Sequence, residues 1–134
     1  KRNFFGGNSL FIEMLKGKIH RAKVTEADLN YIGSLTLDEN LMDAANFLEY
    51  EKIQVLDITN GNRIETYIIS GERGSGEVCI NGAAAHLIHK GDLVIIAAYC
   101  QLDNEEALNH TPAIIHVNKD NQAVLASNKE PVLI

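Results

Sequence analysis

Gly33 and Ser34, adjacent in the stretch YIGSLT, have the residue types for chemistry on the peptide backbone itself. A serine hydroxyl can attack the carbonyl carbon of the preceding residue, and glycine at that position adopts backbone conformations that a side chain would block. Glycine also interrupts strands for purely structural reasons, at a bulge or a close backbone approach. A second pair, Gly74-Ser75, lies in the loop-like segment GERGSGE, so the dipeptide alone leaves both a bend and a reactive serine open.

Two further segments carry side chains that could bind an acidic small molecule. GKIHR places Lys18 and His20 on the same side of a strand, because strand side chains alternate. NGNRIETY carries Arg63 shortly before Thr66 and Tyr67, and a guanidinium can bind a carboxylate through a two-pronged pair of hydrogen bonds. Both segments also have an ordinary structural interpretation. Lys18 and His20 would form a solvent-facing polar side of a strand, and Arg63 would be an exposed charge beside a turn.

The segment INGAAAH joins an amide side chain to a run of small residues: Asn81, Gly82, Ala83, Ala84 and Ala85. Small residues let another backbone or a ligand approach closely, and an asparagine amide can donate a hydrogen bond to a carbonyl oxygen. A tightly packed helical turn explains the same residues equally well.

Composition and charge exclude several classes of protein. A net charge of −6, with the basic residues scattered, argues against a nucleic-acid partner. The five histidines show no metal-ligand spacing, and the longest apolar run, Leu93 to Cys100, is far shorter than the roughly 20 residues of a membrane-spanning helix. Cys79 and Cys100 lie in apolar runs and are interpreted as buried thiols in a reducing compartment. We therefore expect a soluble cytoplasmic protein without a metal site.

The elements that must position these residues are mostly short strands. KIQVLDITNGNRIETYIIS predicts a hairpin, because Asn-Gly favours the positive backbone angles of a tight turn. FIEMLKGKIHRAKVT, NYIGSLTL, GEVCI, DLVIIAAYC, AIIHVN and QAVLAS predict further strands. These segments, with only brief helical interruptions, indicate a mainly β domain, a small closed or nearly closed barrel. Residues 1–13 lack core periodicity and are interpreted as an extension, which leaves 14–134 as a single domain.

Helices are predicted in three short segments. LDENLMDAANFL places Leu41, Ala44, Ala45 and Leu48 on one face, with Asp38 available as the capping residue. GAAAHLI and LDNEEALN predict one short turn of helix each.

The motifs become specific when they are taken in order along the chain. KIHRA, YIGS, NGNR, TY and NGAAA follow one another at the separations found in bacterial aspartate 1-decarboxylase, and the chain resembles that family from about Met14 to Tyr99 and more loosely to about Val117. Members of this family use a covalent pyruvoyl group to make β-alanine for pantothenate synthesis. The resemblance implies a six-stranded double-psi β-barrel, assembled as a homotetramer with active sites shared between subunits.

The resemblance also implies how the pyruvoyl group would arise. The Ser34 hydroxyl would attack the Gly33 carbonyl in an N-to-O acyl shift, and β-elimination followed by hydrolysis would leave a pyruvoyl group at position 34. Thr66 matches the family residue that hydrogen-bonds the Gly33 carbonyl during processing. Tyr31 and Asn81 would line the same pocket.

For the second reaction, the resemblance implies a Schiff base between the pyruvoyl ketone and L-aspartate, with neither a metal nor PLP. Arg63 and Lys18 would bind the substrate carboxylates, and Tyr67 would donate a proton to the carbanion. His20 would orient its neighbours. The residues of NGAAA, Asn81 to Ala85, would line the substrate pocket.

Departures from the family pattern and alternative functions limit what the resemblance implies. Ile32 stands where some relatives carry an acid, so that side chain is not expected to be essential, and the tail after Val117 receives no function. A β-barrel binding module that never cleaves, and a pyruvoyl decarboxylase for another acidic amino acid, remain open. So does the need for a helper protein in maturation.

Overall fold

The computed structural model describes residues 10–124, which form nine strands and three short helices. The strands are β1 (Phe11–Lys23), β2 (Glu26–Asp28), β3 (Ser34–Asp38), β4 (Lys52–Asp57), β5 (Arg63–Gly71), β6 (Val78–Asn81), β7 (Leu93–Asp103), β8 (Ala113–Val117) and β9 (Ala123–Val124). The helices are α1 (Glu39–Ala45), a 3-10 helix (Gly82–His86) and α2 (Asn104–Leu108). None of the helices within residues 10–124 is long and apolar enough to cross a membrane.

All nine strands belong to one curled sheet in the order β2-β6-β3-β5-β4-β7-β1-β8-β9. Only Val24 and Thr25 separate β1 from β2, although these strands pair with β7 and β6, far apart in the order. The Val24 amide donates to Asp92 O at 2.9 Å and the Thr25 amide to Val78 O at 2.8 Å. The chain therefore links two distant parts of the sheet and closes it into a barrel.

The mainly β class is confirmed, but the strand count is nine among the described residues and not six. Two of the strands are very short: β2 has three residues and β9 has two. They add local pairings to β6 and β8, and β8 itself runs parallel to part of β1. Such pairings depend on contacts between distant segments, which periodicity does not specify.

The predicted hairpin is present, but the tight two-residue turn is wrong. β4 and β5 pair antiparallel, and residues 58–62 connect them. Of the Asn-Gly dipeptide only Gly61 has a positive φ, +84°. The Asn60 and Asn62 side-chain amides both donate to Leu87 O, at 2.9 and 3.0 Å, so tertiary hydrogen bonds hold this longer loop against the segment that follows the 3-10 helix.

The barrel interior is filled by alternate residues of the strands, and α1 covers one end of it. Asp38 caps α1 as predicted, because its side chain accepts from the Asn40 amide. Leu41 and Ala45 are buried in the core, but Leu48 is 69% exposed. The helix stops at Ala45, since Asn46 takes the left-handed conformation, and Leu48 therefore lies outside the predicted helical face.

The boundaries of the domain differ from the expected ones at the N-terminal end. Residues 11–13, expected to belong to an extension, begin β1 and pair with residues 101–103 of β7. The rest of that extension, residues 1–9, lies outside the described residues, and so do residues 125–134 of the tail.

Candidate active site

The Gly33–Ser34 bond lies where the chain passes from the surface into the sheet. Tyr31, Ile32 and Gly33 are exposed and precede the strand, whereas Ser34 is the first residue of β3 and only 2% exposed. The predicted strand therefore starts later than expected, and the glycine does not interrupt it. The Ser34 hydroxyl donates to Ile32 O at 3.2 Å.

The Asn81 side chain donates a hydrogen bond to the Ser34 hydroxyl. Asn81 ends β6 and is the antiparallel partner of Ser34, and its Nδ2 donates to Ser34 Oγ at 3.0 Å. The same Nδ2 donates to Thr36 Oγ1 at 3.0 Å, while the Asn81 Oδ1 accepts from Cys79 Sγ at 3.2 Å. Burial, the main cause, raises the pKa of the Cys79 thiol to about 11, which keeps it a donor at neutral pH. The amide is thus fixed in one orientation.

Thr36 and Cys79 are site residues that the sequence did not reveal. Each lies two positions from a residue that was singled out, Ser34 and Asn81 respectively, and therefore on the same side of its strand. Strand alternation could have suggested both, but only the β3–β6 register shows that they converge on one amide.

Gly82 brings a second backbone against the Gly33–Ser34 segment. Its φ is +77°, and a Cβ built on it would lie 2.7 Å from Gly33 Cα and 2.9 Å from Gly33 N. No L side chain fits there without displacing Gly33. The small residues after Gly82 differ in environment: Ala85 packs into the core, Ala84 is half-buried and Ala83 is exposed.

Thr66 and Tyr67 lie on the strand that flanks the same segment. β3 and β5 run parallel with Leu35 paired to Ile68, so that continuing the register brings Ser34 level with Tyr67 and Gly33 level with Thr66. Both side chains are half-buried. Within residues 10–124 neither side chain makes a hydrogen bond, which leaves both free to bind a reacting group.

Lys18 and His20 lie elsewhere, on β1. Lys18 is 4% exposed with no carboxylate within 4 Å in the described part of the chain, and burial lowers its pKa. His20 stacks edge-on against His116, with 5.5 Å between ring centroids, and its Nδ1 is buried without a hydrogen-bond partner in the described part of the chain. Burial first, then the charges of Lys18, His116 and Arg21, lower the pKa of His20. An unpaired buried ammonium is suited to receive an anion.

Arg63 is exposed at the start of β5 and borders a groove of about 220 Å³ with Gln54 and Glu65. It lies three residues before Thr66, a separation of about 10 Å along the strand. Lys18 lies on β1, four strands from β3 in the sheet order. No hydrogen bond or ion pair among residues 10–124 joins Lys18 or Arg63 to Ser34.

Within one chain the candidate residues fall into two sets. The processing cluster contains Gly33, Ser34, Asn81 and Gly82, with Thr66 and Tyr67 beside it. The name cationic group is used for Lys18 on β1, with His20 next to it, and Arg63 on β5, three strands away in the sheet order. Among the described residues, no set of three or more His, Cys, Asp or Glu side chains could hold a metal ion.

Comparison with known proteins covers the whole described part of the chain. A family model described as aspartate decarboxylase matches residues 10–124. The aspartate 1-decarboxylase of Caldicellulosiruptor saccharolyticus is 60% identical over 121 residues, covering 90% of this chain and 94% of that protein. The enzyme of the same name from Clostridium botulinum is 56% identical over 119 residues, covering 89% and 94%. That of Acetivibrio thermocellus is 54% identical over 121 residues, covering 90% and 96%. The chain therefore belongs to the aspartate decarboxylase family.

Proposed function

We propose that this chain cleaves itself between Gly33 and Ser34 and then decarboxylates L-aspartate to β-alanine and carbon dioxide, a step that serves pantothenate and coenzyme A synthesis. Family membership supports the reaction. The observation that carries the proposal is the buried Ser34 hydroxyl, held by Asn81 Nδ2 at 3.0 Å beside a bond that Gly82 packs against.

Self-cleavage begins with attack of Ser34 Oγ on the Gly33 carbonyl carbon. The C–O bond forms as the C–N bond breaks, and the proton passes from the hydroxyl to the nitrogen, which gives an ester and a free amine. β-Elimination then releases a chain that ends in the Gly33 carboxylate. Water hydrolyses the resulting enamine at position 34, so that ammonia leaves and a pyruvoyl group remains.

The residues around the bond have separate roles in this step. The negative charge that develops on the Gly33 carbonyl oxygen needs a donor, and the unbonded Thr66 hydroxyl, level with Gly33, supplies it. Asn81 orients the Ser34 hydroxyl, and Tyr31 borders the same segment through its carbonyl, 3.2 Å from the Cβ position of Gly82.

A pyruvoyl group at position 34 supplies the electron sink that decarboxylation requires and that ordinary side chains lack, without a metal or PLP. Lys18 and Arg63 bind the two carboxylates of aspartate, since both are cations without carboxylate partners in the described residues. His20 positions the Lys18 ammonium. Tyr67, level with position 34, protonates the carbon from which carbon dioxide leaves, and the backbone and methyl groups of residues 82–85 border the substrate.

The placement of Lys18 and Ser34 on distant strands of one chain supports a homotetramer with active sites shared between subunits. Within residues 10–124 no hydrogen bond links Lys18 to Ser34 or to the side chains around it. A second copy that presents its cationic group to the processing cluster completes the site. The free thiols of Cys79 and Cys100 support a reducing, cytoplasmic location.

The experiment is to purify the full chain and its Ser34→Ala variant, and to measure β-alanine release from L-aspartate and decarboxylation of L-glutamate at equal concentrations. We expect the parent to release β-alanine, Ser34→Ala to release none, and glutamate to be turned over little. Preferred turnover of glutamate would assign another acidic substrate. A parent chain that stays whole after warm incubation with and without cell extract would favour a binding module; cleavage only with extract would indicate a helper protein.

A further inference from the structure

A separate cavity of about 490 Å³ lies where four segments of the chain meet. Its walls come from the end of β1, the loop before β6, the turn before β7 and the turn between β8 and β9. None of the residues of the processing cluster or of the cationic group lines it. The volume falls in the range of cavities that bind small molecules, roughly 300–1,000 Å³.

Positive charge is concentrated at this cavity in a chain whose net charge is −6. Lys23, Lys90 and Lys119 line it, each from a different segment, and all three are exposed. Within residues 10–124 none of the three ammonium groups has a carboxylate within 4 Å, whereas Lys16 and Lys52 are both paired. Among the described residues that line the cavity, Asp120 is the one acidic residue. A concave site lined by one sign of charge attracts ions of the opposite sign.

The cavity walls are fixed by hydrogen bonds. Asn121 is 2% exposed, and its Nδ2 donates to Lys23 O at 2.8 Å and to Gly76 O at 2.9 Å. Its Oδ1 accepts from the Lys23 amide at 2.9 Å. Gly76 has φ +74°, and a Cβ there would lie 2.6 Å from Asp120 O. One buried side chain thus ties three walls together, so the cavity does not need a ligand to form.

We infer that this cavity binds a small phosphorylated molecule, with the three lysines around its phosphate oxygens. Lysine ammonium groups bind phosphate oxygens as point charges, and a phosphate monoester carries nearly two negative charges at neutral pH against one for a carboxylate, so three lysines without carboxylate partners among residues 10–124 suit a phosphate. The site stands on its own observations and does not depend on the proposed decarboxylation.

The test is isothermal titration of the full chain with three probes, orthophosphate, pyrophosphate and ADP, in low-salt buffer at matched ionic strength. The variants are Lys23→Gln, Lys90→Gln and Lys119→Gln, with Lys52→Gln as a matched control at an exposed lysine outside the cavity. We expect saturable binding of at least one probe at one site per chain. Each cavity variant should weaken it by about 10-fold, the loss of one charge-assisted hydrogen bond.

Each outcome decides the inference. The tightest probe shows whether the ligand presents one phosphate, a diphosphate or a nucleotide. Absence of saturable binding by all three probes overturns the inference. Binding that the three cavity variants leave unchanged also overturns it. So does equal weakening by Lys52→Gln, because the probe would then be attracted by the overall surface charge and not bound at the cavity.

Discussion

At the scale of single residues, the chemistry depends on which groups around Gly33 are already committed to hydrogen bonds. Ser34 Oγ accepts from Asn81 and donates to Ile32 O, so its position is fixed. Asn81 Nδ2 is shared between Ser34 and Thr36. Among the described side chains level with Gly33, Thr66 is the one with a free hydroxyl. The division between a fixed nucleophile and a free donor is what an acyl shift requires.

Thr66→Val should fold normally and mature slowly, because valine keeps the shape of threonine and removes the donor to the developing oxyanion. Losing one such donor costs about 3 kcal/mol of barrier, or roughly 100-fold in rate. The time course of cleavage by denaturing electrophoresis measures this. Thr111→Val, at an exposed position before β8, is the control and should mature at the parental rate. If Thr66→Val matures at the parental rate, another group donates to the Gly33 carbonyl oxygen.

At the scale of elements, the site depends on the close approach of β6 and the 3-10 helix to the segment before β3. Gly82 permits that approach and Gly33 is its neighbour. The chain after the 3-10 helix is tied in turn to the β4–β5 loop through Leu87 O. The loop that precedes Arg63 and the segment that contacts Gly33 are therefore held as one unit.

Gly82→Ala should prevent maturation, because the new methyl group would collide with Gly33 Cα at 2.7 Å. Gly61→Ala is the matched control, since Gly61 also has a positive φ, +84°, but no atom of the described residues lies within 4 Å of the added Cβ. The control should lose only about 1 kcal/mol of stability from backbone strain and should still mature. Urea unfolding and intact mass measure the two properties. Normal maturation of Gly82→Ala would show that the close approach is dispensable.

Asp57→Asn should change how stability depends on pH. Burial, the main cause, together with the neighbouring Asp92 carboxylate raises the pKa of Asp57 to about 6. Its Oδ1 accepts from the Thr59 and Asn60 amides, and its Oδ2 is buried without a hydrogen-bond partner among residues 10–124. The carboxyl of the unfolded chain loses its proton near pH 4, whereas the folded chain keeps it up to about pH 6. The free energy of unfolding therefore falls as the pH rises through that window.

Asparagine keeps an acceptor for the two amides and carries no charge at any pH. The stability of Asp57→Asn relative to the parent should therefore rise by on the order of 2 kcal/mol between about pH 4 and pH 7, as measured by urea unfolding. A difference between the two proteins that stays constant across this range would contradict the raised pKa.

Local signals in the sequence predicted some of these elements well, and the misses have physical causes. Asp38 could be identified as a cap because capping is a contact between neighbours in sequence. The length of the β4–β5 loop could not, because Asn60 and Asn62 bind Leu87 O, a tertiary partner. Asn81 was singled out for its amide, but its partners Thr36 and Cys79 follow only from strand register. That Asn81 matters was thus easier to propose from the sequence than the hydrogen bonds that orient its amide.

At the scale of the whole molecule, Lys18 and Ser34 lie on strands of one chain that are four apart in the sheet order. Co-expression of Lys18→Ala with Tyr67→Phe tests whether two copies share a site. Each variant alone should be inactive, whereas mixed assemblies should recover up to roughly a quarter of parental activity, since random pairing places an intact Tyr67 beside an intact Lys18 in that share of sites. Activity no greater than the sum of the two variants would place each complete site within a single chain.

The central claim is that Gly33–Ser34 is a bond that the chain itself breaks, and intact mass spectrometry of the purified full-length protein tests it most directly. Cleavage should yield a short chain that ends in the Gly33 carboxylate and a long chain from position 34. The long chain should be lighter than one beginning with serine by the mass of one ammonia, and Ser34→Ala should remain whole. A parent that stays uncut after incubation with cell extract, or a long chain with an ordinary serine terminus, would contradict the claim.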